Sequence, residues 1–162
     1  MTVRTRALEG LAAGAVGTTA LNAVTYLDMA VRGRAASEAP QEAVETLADR
    51  AGVSVPGDHD ERDNRIAGLG PLLGLGTGLA VGLGIGVLTA AVRAPASRAG
   101  ACIVALGAAA AALAASDAPM AALGISDPRE WEPVDWAADI VPHLAYGAAT
   151  AAVLLTLRRA RR

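Results

Sequence analysis

The sequence predicts an all-α polytopic membrane protein, a bundle of four transmembrane helices with a short amphipathic helix outside the membrane. Apolar residues make up 53% of the chain, yet Phe is absent and there are only two Trp and two Tyr. The apolar content, mostly Ala and Gly, falls into four stretches, each close to the ~20 residues that span the hydrocarbon of a bilayer. Arginines lie at both ends of the chain, as expected for ends on the cytoplasmic side. On length, the 162 residues form a single membrane domain.

The first apolar stretch covers residues 7–31, with Glu9 near one end and Asp28 near the other. Arg4 and Arg6 precede it, as basic residues precede a secretory signal. Its apolar length exceeds that of a signal sequence, and no small-x-small cleavage site follows. We therefore expect an uncleaved membrane anchor.

The segment 32–65, which follows the first stretch, is predicted to lie outside the membrane. Pro40 suits the first turn of a helix, and the apolar residues at positions 44, 47, 48 and 51 share one face before Gly52. A short amphipathic helix is expected here, followed by a polar loop over residues 53–64.

The second stretch, residues 66–92, carries no charge and has a glycine at every fourth position. In lipid such a ridge lets the backbone of another helix approach closely. A pore-lining role would require a carboxylate facing the ridge in the middle of the membrane, and none of the four stretches has one there. We interpret the ridge as a helix-packing surface formed by Gly70, Gly74, Gly78, Gly82 and Gly86.

The third stretch, residues 99–123, is free of charge until Asp117, and the fourth covers residues 137–157. Trp131 and Trp136 lie at the entry to the fourth, as aromatic side chains do at the level of the headgroups. Because both arginine-rich ends are expected in the cytoplasm, the number of spans must be even. The link 93–98 is then cytoplasmic, and the acidic link before the fourth span is external. Five arginines in the segment 32–65 favour the inverted orientation, which stays open.

Composition also bears on partners and cofactors. The formal charge is −2, and no basic groove with stacking aromatics is evident, which predicts no nucleic-acid partner. The single Cys102 excludes an intramolecular disulfide. Two His in no ligand spacing predict no metal, and nothing in the sequence indicates a cofactor. The expected partners are the lipid bilayer, a second copy of the chain or another membrane protein.

The candidate functional residues are polar side chains at helical spacing on the apolar stretches. On the fourth stretch Asp139, His143, Tyr146 and Thr150 share one helix face, and Pro142 is expected to kink the helix or to mark its first turn. Ionisable residues at this depth face the bundle interior or a wet cavity. The predicted topology puts the start of this span level with the end of the first. We therefore expect a single polar cluster of Asn22, Tyr26, Asp28, Asp117, Asp139, His143 and Tyr146.

Three interpretations of this cluster remain open. In the first, His143 forms a hydrogen bond with Asp139 or with a backbone carbonyl and only stabilises the bundle. In the second, the cluster handles protons or binds a ligand. In the third, it binds a metal ion. One His with scattered carboxylates gives little coordination specificity, which disfavours the metal site.

Three strings resemble a family of small four-span bacterial membrane proteins of the YagU type, whose function is unknown. They are GTTALNAVTYLDMAVRGRAAS at 17–37, NRIAGLGPLLGLGTG at 64–78 and PHLAYG at 142–147. The resemblance covers most of the chain. It implies an integral membrane protein and supplies no catalytic residues.

Three function hypotheses follow. The first is a non-enzymatic inner-membrane protein, structural or accessory, whose polar cluster opens outward. The second is a small transporter or proton-linked channel that acts as a homo-oligomer. The third is a membrane enzyme that uses His143 and Asp139 on a lipid or quinone, although no nucleophile motif or metal-binding box supports it.

Overall fold

The computed structural model describes residues 2–91 and 97–160, and those residues are almost entirely helical. Val92, most of the predicted link 93–98 and the last two arginines lie outside the described residues. No β-strand occurs in the described part of the chain, so the predicted all-α class is confirmed. The helices are α1 (Val3–Arg32), α2 (Ala39–Arg50), α3 (His59–Ala91), α4 (Arg98–Leu123) and α5 (Pro133–Arg159), with a 3₁₀ turn at Pro128–Glu130.

The four long helices form an antiparallel bundle. α1 packs against α3 and α5, and α4 packs against α5 and α3. At one end of the bundle the guanidinium of Arg158 donates to Thr89 Oγ1 at 2.5 Å and lies close to Arg6. We call this the terminal end of the bundle, because the starts of α1 and α4 meet the ends of α3 and α5 there. The short helix α2 lies at the opposite end.

Within the described residues, α3, α4 and α5 are long and apolar enough to cross a membrane. Many of their large apolar side chains face outward, among them Leu72, Ile103 and Val141, each more than half exposed. α1 is not one of these helices. It has 30 residues, but Glu9, Asn22 and several glycines and threonines lower its mean hydropathy. The described part of the chain therefore has three candidate spans by length and composition, one fewer than the sequence predicted.

α3 begins at His59, seven residues before the start expected at position 66. The second half of the loop predicted over residues 53–64 is therefore helical. The Oδ1 atom of Asp58 accepts a hydrogen bond from the backbone N–H of Glu61 at 3.0 Å and caps the helix. Arg62 forms a 2.7 Å ion pair with Glu45 of α2. These polar contacts stabilise two turns of helix that carry no apolar periodicity.

α2 is present where the amphipathic helix was expected, with Pro40 in its first turn. Ala43 is its buried residue, while Leu47 stays 45% exposed. Pro40 packs directly on Gly70 of α3, and Arg50 donates to the carbonyl of Leu123 at the end of α4 at 3.4 Å. α2 therefore covers the end of the bundle between α3 and α4.

Candidate functional site

Polar side chains of α4 and α5 meet near the end of the bundle that carries α2. In α5, His143 Nδ1 lies 2.8 Å from the carbonyl oxygen of Asp139 and 3.3 Å from its Oδ1. The other ring nitrogen, Nε2, lies 3.3 Å from Oγ of Ser116 in α4. Ser116 Oγ is also 3.0 Å from Asp117 Oδ1. We call Ser116, Asp117, Asp139 and His143 the carboxylate cluster.

Local sequence explains why these side chains meet. A spacing of four residues stacks Asp139 and His143 on one face of α5. α5 approaches α4 closely at Gly147, where a methyl group would lie only 2.8 Å from the backbone nitrogen of Ala109. Because the two helices run antiparallel, the part of α5 before Gly147 lies beside the part of α4 after Ala109, where the His143 side chain reaches Ser116.

A cavity of about 230 Å³ opens beside the carboxylate cluster, between α2, α4 and α5. The cluster forms its polar wall, with Ser37 and Ser126 nearby. The His143 side chain is only 10% exposed and that of Asp139 21%, so the polar wall is largely removed from solvent. The remaining, mainly apolar wall consists of Ala39, Pro40, Met120, Pro128 and Trp131.

The loop between α4 and α5 forms one rim of the cavity. The indole N–H of Trp131 donates to Ser126 Oγ at 3.0 Å, and its ring packs edge-on against Trp136 with centroids 5.0 Å apart. Asp127 accepts hydrogen bonds from the backbone and side chain of Arg129, which hold the pKa of that carboxyl below its ordinary value. The bonds therefore favour this loop conformation at neutral pH, and the effect is lost only as the pH falls through the lowered pKa.

Tyr146 lies on the same face of α5 but not at the cavity. Its side chain is fully buried, and its hydroxyl donates to the carbonyl of Gly78 in α3 at 2.6 Å. One turn further, Thr150 Oγ1 lies 3.4 Å from the carbonyl of Ala13 in α1. These two hydroxyls thus connect α5 to α3 and to α1 within the core.

The predicted α1 members of the cluster also lie elsewhere. Asp28 pairs with Arg32 and Arg34 at 2.6 Å each, Tyr26 is 62% exposed and Asn22 is half-buried. Of the seven residues predicted to form one cluster, the structure brings together Asp117, Asp139 and His143. α1 packs on α3 and α5, and it is α4 that lies beside His143.

Three glycines of the predicted packing ridge face α1. A methyl group at Gly82 would lie 2.6 Å from the carbonyl oxygen of Gly10, and one at Gly86 would lie 2.6 Å from the Cα of Gly10. Gly78 lies against Thr18 of α1. Gly70 packs on α2, whereas a methyl group at Gly74 would meet nothing within 4 Å.

Ser116 was not identified from the sequence, because a single hydroxyl in an alanine-rich stretch has no motif around it. Ser116 contacts His143, and His143 contacts Asp139. The catalytic triad of serine hydrolases has the same sequence of contacts. However, Asp117 Oδ1 lies 3.0 Å from the hydroxyl, where a carboxylate would repel the oxyanion that develops during acyl transfer. The arrangement is therefore better suited to holding a positive charge than to nucleophilic catalysis.

Within the described residues, no group of three or more His, Cys, Asp or Glu side chains is arranged to hold a metal ion. No protein-family model, curated protein or solved structure matches this chain.

Proposed function

We propose that this chain is a non-enzymatic accessory protein of the bacterial inner membrane that binds a small polar molecule in the cavity beside the carboxylate cluster. The observation that carries this proposal is the cavity itself, which is lined by two carboxyl groups and an imidazole and opens beside α2. The four-span arrangement and the orientation in the membrane are part of the proposal.

α1 serves as the fourth span in this proposal. Its 30 residues correspond to about 45 Å of helix, more than the roughly 30 Å of hydrocarbon in a bilayer. Several of the residues that lower its hydropathy face protein, because Gly10, Gly14, Gly17 and Thr18 are buried in the bundle. A helix whose small and polar residues face its neighbours needs less apolar character than one surrounded by lipid.

The charges at the two ends of the bundle support an orientation with both termini in the cytoplasm. The terminal end carries Arg4, Arg6, Arg158 and Arg159, whereas the α4–α5 loop at the other end carries only Arg129. The five arginines of the segment 32–65 lie at that other end and oppose this orientation. Under the positive-inside rule the cavity then opens on the side away from the cytoplasm.

Packing beyond the cavity favours binding over transport. Ala108, Ala112 and Tyr146 form a buried apolar cluster directly beyond the carboxylate cluster. A second buried cluster, which includes Val104 and Leu154, follows toward the terminal end. Protein interiors of this kind are close-packed, so these clusters oppose passage of a ligand from the cavity through the described part of a single chain.

Cysteine labelling in intact cells tests the topology, after the exposed Cys102 has been replaced by Ser. We expect an impermeant thiol reagent to modify Asp58→Cys and Glu130→Cys but not Thr5→Cys or Ala160→Cys. Protection at position 5 with reaction at position 58 would mean that α1 crosses the membrane. Reaction at both position 5 and position 58 would contradict the fourth span, and the reverse pattern at all four positions would contradict the orientation.

Native mass spectrometry of the gently extracted protein tests binding. We expect a small bound mass on the parent that is lost in Asp139→Asn. It should persist in Asp28→Asn, which removes a carboxylate at the same end of the bundle but outside the cavity. pH-dependent flux of a solute in liposomes that contain the purified protein would instead identify a transporter.

A further inference from the structure

The described part of the cavity wall contains two carboxyl groups and one imidazole. Asp139 Oδ2 is buried and receives no hydrogen bond from an amide, hydroxyl or basic group among the described residues. The Asp117 carboxyl group lies within hydrogen-bonding distance of the Asp139 carboxyl group, so the two can share a proton. Among the described residues that line the cavity, only His143 is able to carry a positive charge.

Simple electrostatics then indicates the charge of the ligand. When Asp117, Asp139 and His143 are all ionised, two negative charges face one positive charge and the wall carries a net charge of −1. An unpaired charge removed from water is costly. In the empty cavity a proton on one of the two carboxyl groups removes that cost, and a monovalent cation between the carboxylates would take the place of this proton.

Hydrogen bonding narrows the choice of cation. A primary ammonium has three N–H donors in a compact group, whereas a quaternary ammonium has none. The acceptors in the cavity wall include the carboxyl groups of Asp139 and Asp117 and the hydroxyl oxygen of Ser116. These oxygens match the donors of one ammonium group.

The rest of the cavity indicates what the ammonium is attached to. Pro40, Met120 and Pro128 contribute apolar surface to the cavity wall, and the Trp131 ring adds an aromatic surface that favours a nearby cation. At roughly 30 Å³ for each water-sized group, the 230 Å³ cavity holds about seven or eight non-hydrogen atoms. A short aliphatic chain fits this space.

We propose that the cavity binds a primary ammonium group on a short apolar chain, with the nitrogen between Asp117 and Asp139. The inference rests on the proposed function and specifies its ligand class. The ammonium belongs either to a free amine or to a phosphatidylethanolamine headgroup, since both carry a primary ammonium on at least two methylene groups.

Titration of the purified full-length protein in detergent with butylammonium chloride tests the inference through Trp fluorescence and the thermal midpoint. We expect a saturable change with butylammonium and none with 1-butanol, tetramethylammonium or sodium chloride at equal ionic strength. Asp139→Asn and Asp117→Asn should each weaken binding by about tenfold or more, because a charge-assisted hydrogen bond is lost. Asp28→Asn should bind as the parent does.

Nanodiscs distinguish the two sources of the ammonium. A thermal midpoint that is higher in phosphatidylethanolamine than in phosphatidylcholine, with the difference lost in Asp139→Asn, would assign the lipid headgroup. Equal midpoints together with butylammonium binding would assign a free amine.

A parent protein that responds to butylammonium no more than to sodium would overturn the ammonium inference without any need for a variant. If the bound mass and the topology were still found, the proposed function would stand with a different ligand. Absence of any bound mass, together with protection at position 58, would overturn the proposed function itself.

Discussion

Gly82→Leu is expected to separate α1 from α3 and to prevent the bundle from assembling normally. At this position even a methyl group would lie 2.6 Å from both the carbonyl oxygen of Gly10 and the backbone nitrogen of Gly14. Both are backbone atoms, which cannot rotate away as a flexible side chain can. The cost should therefore exceed the roughly 1 to 3 kcal/mol typical of an overpacked core.

Gly74→Leu is the matched control, because Gly74 belongs to the same row of glycines on α3 and has nothing within 4 Å of an added methyl group. The two variants make the same replacement in the same helix, so the change in intrinsic helix propensity is shared. Thermal unfolding in detergent, followed by circular dichroism and size-exclusion chromatography, should show a large loss for Gly82→Leu alone. Equal melting of the two variants would mean that α1 does not depend on this contact.

The helical class and most helix positions follow from hydrophobic length, because a run of apolar residues at membrane length has few alternatives. What length could not reveal was the polar start of α3. Asp58 and the ion pair between Arg62 and Glu45 stabilise those turns by contacts that have no periodic signature. Hydropathy also does not distinguish a glycine facing another helix from one facing lipid, although α1 contains mainly the first kind.

The candidate site was predictable only where its residues share one helix. The four-residue spacing of Asp139 and His143 determines their contact in any helical fold. Their third partner depends on which helix lies beside α5 at that depth, and hydropathy contains no information on that choice. The glycine face of α1 turns toward α3 and the core of the bundle, so α4 supplies Ser116 and Asp117 where Asn22 and Tyr26 had been expected.

His143→Gln should destabilise the protein by about 3 kcal/mol near pH 6, the lower end of the range for breaking a buried ion pair. Gln keeps a side-chain donor but cannot carry the positive charge that Asp117 and Asp139 face. No charged residue of α2 lines this cavity in the described structure, so no other wall residue compensates. The lower end of the range applies because the cavity is open to solvent on one side.

The pH dependence of the His143→Gln effect distinguishes a cluster that handles protons from one that only stabilises the bundle. If the imidazolium is the form that pairs with the carboxylates, the deficit of His143→Gln should be largest near pH 6 and should shrink toward pH 8, as the parent loses that charge. Thermal unfolding at several pH values measures this deficit.

The control is His59→Gln, which removes a His–Asp pair at the same four-residue spacing. His59 lies 3.2 Å from Asp63, but its side chain is 86% exposed. Such a surface pair should contribute less than about 0.5 kcal/mol at any pH. A deficit for His143→Gln that is the same from pH 5 to pH 8 would mean that His143 and Asp139 only hold α5 in place against α4.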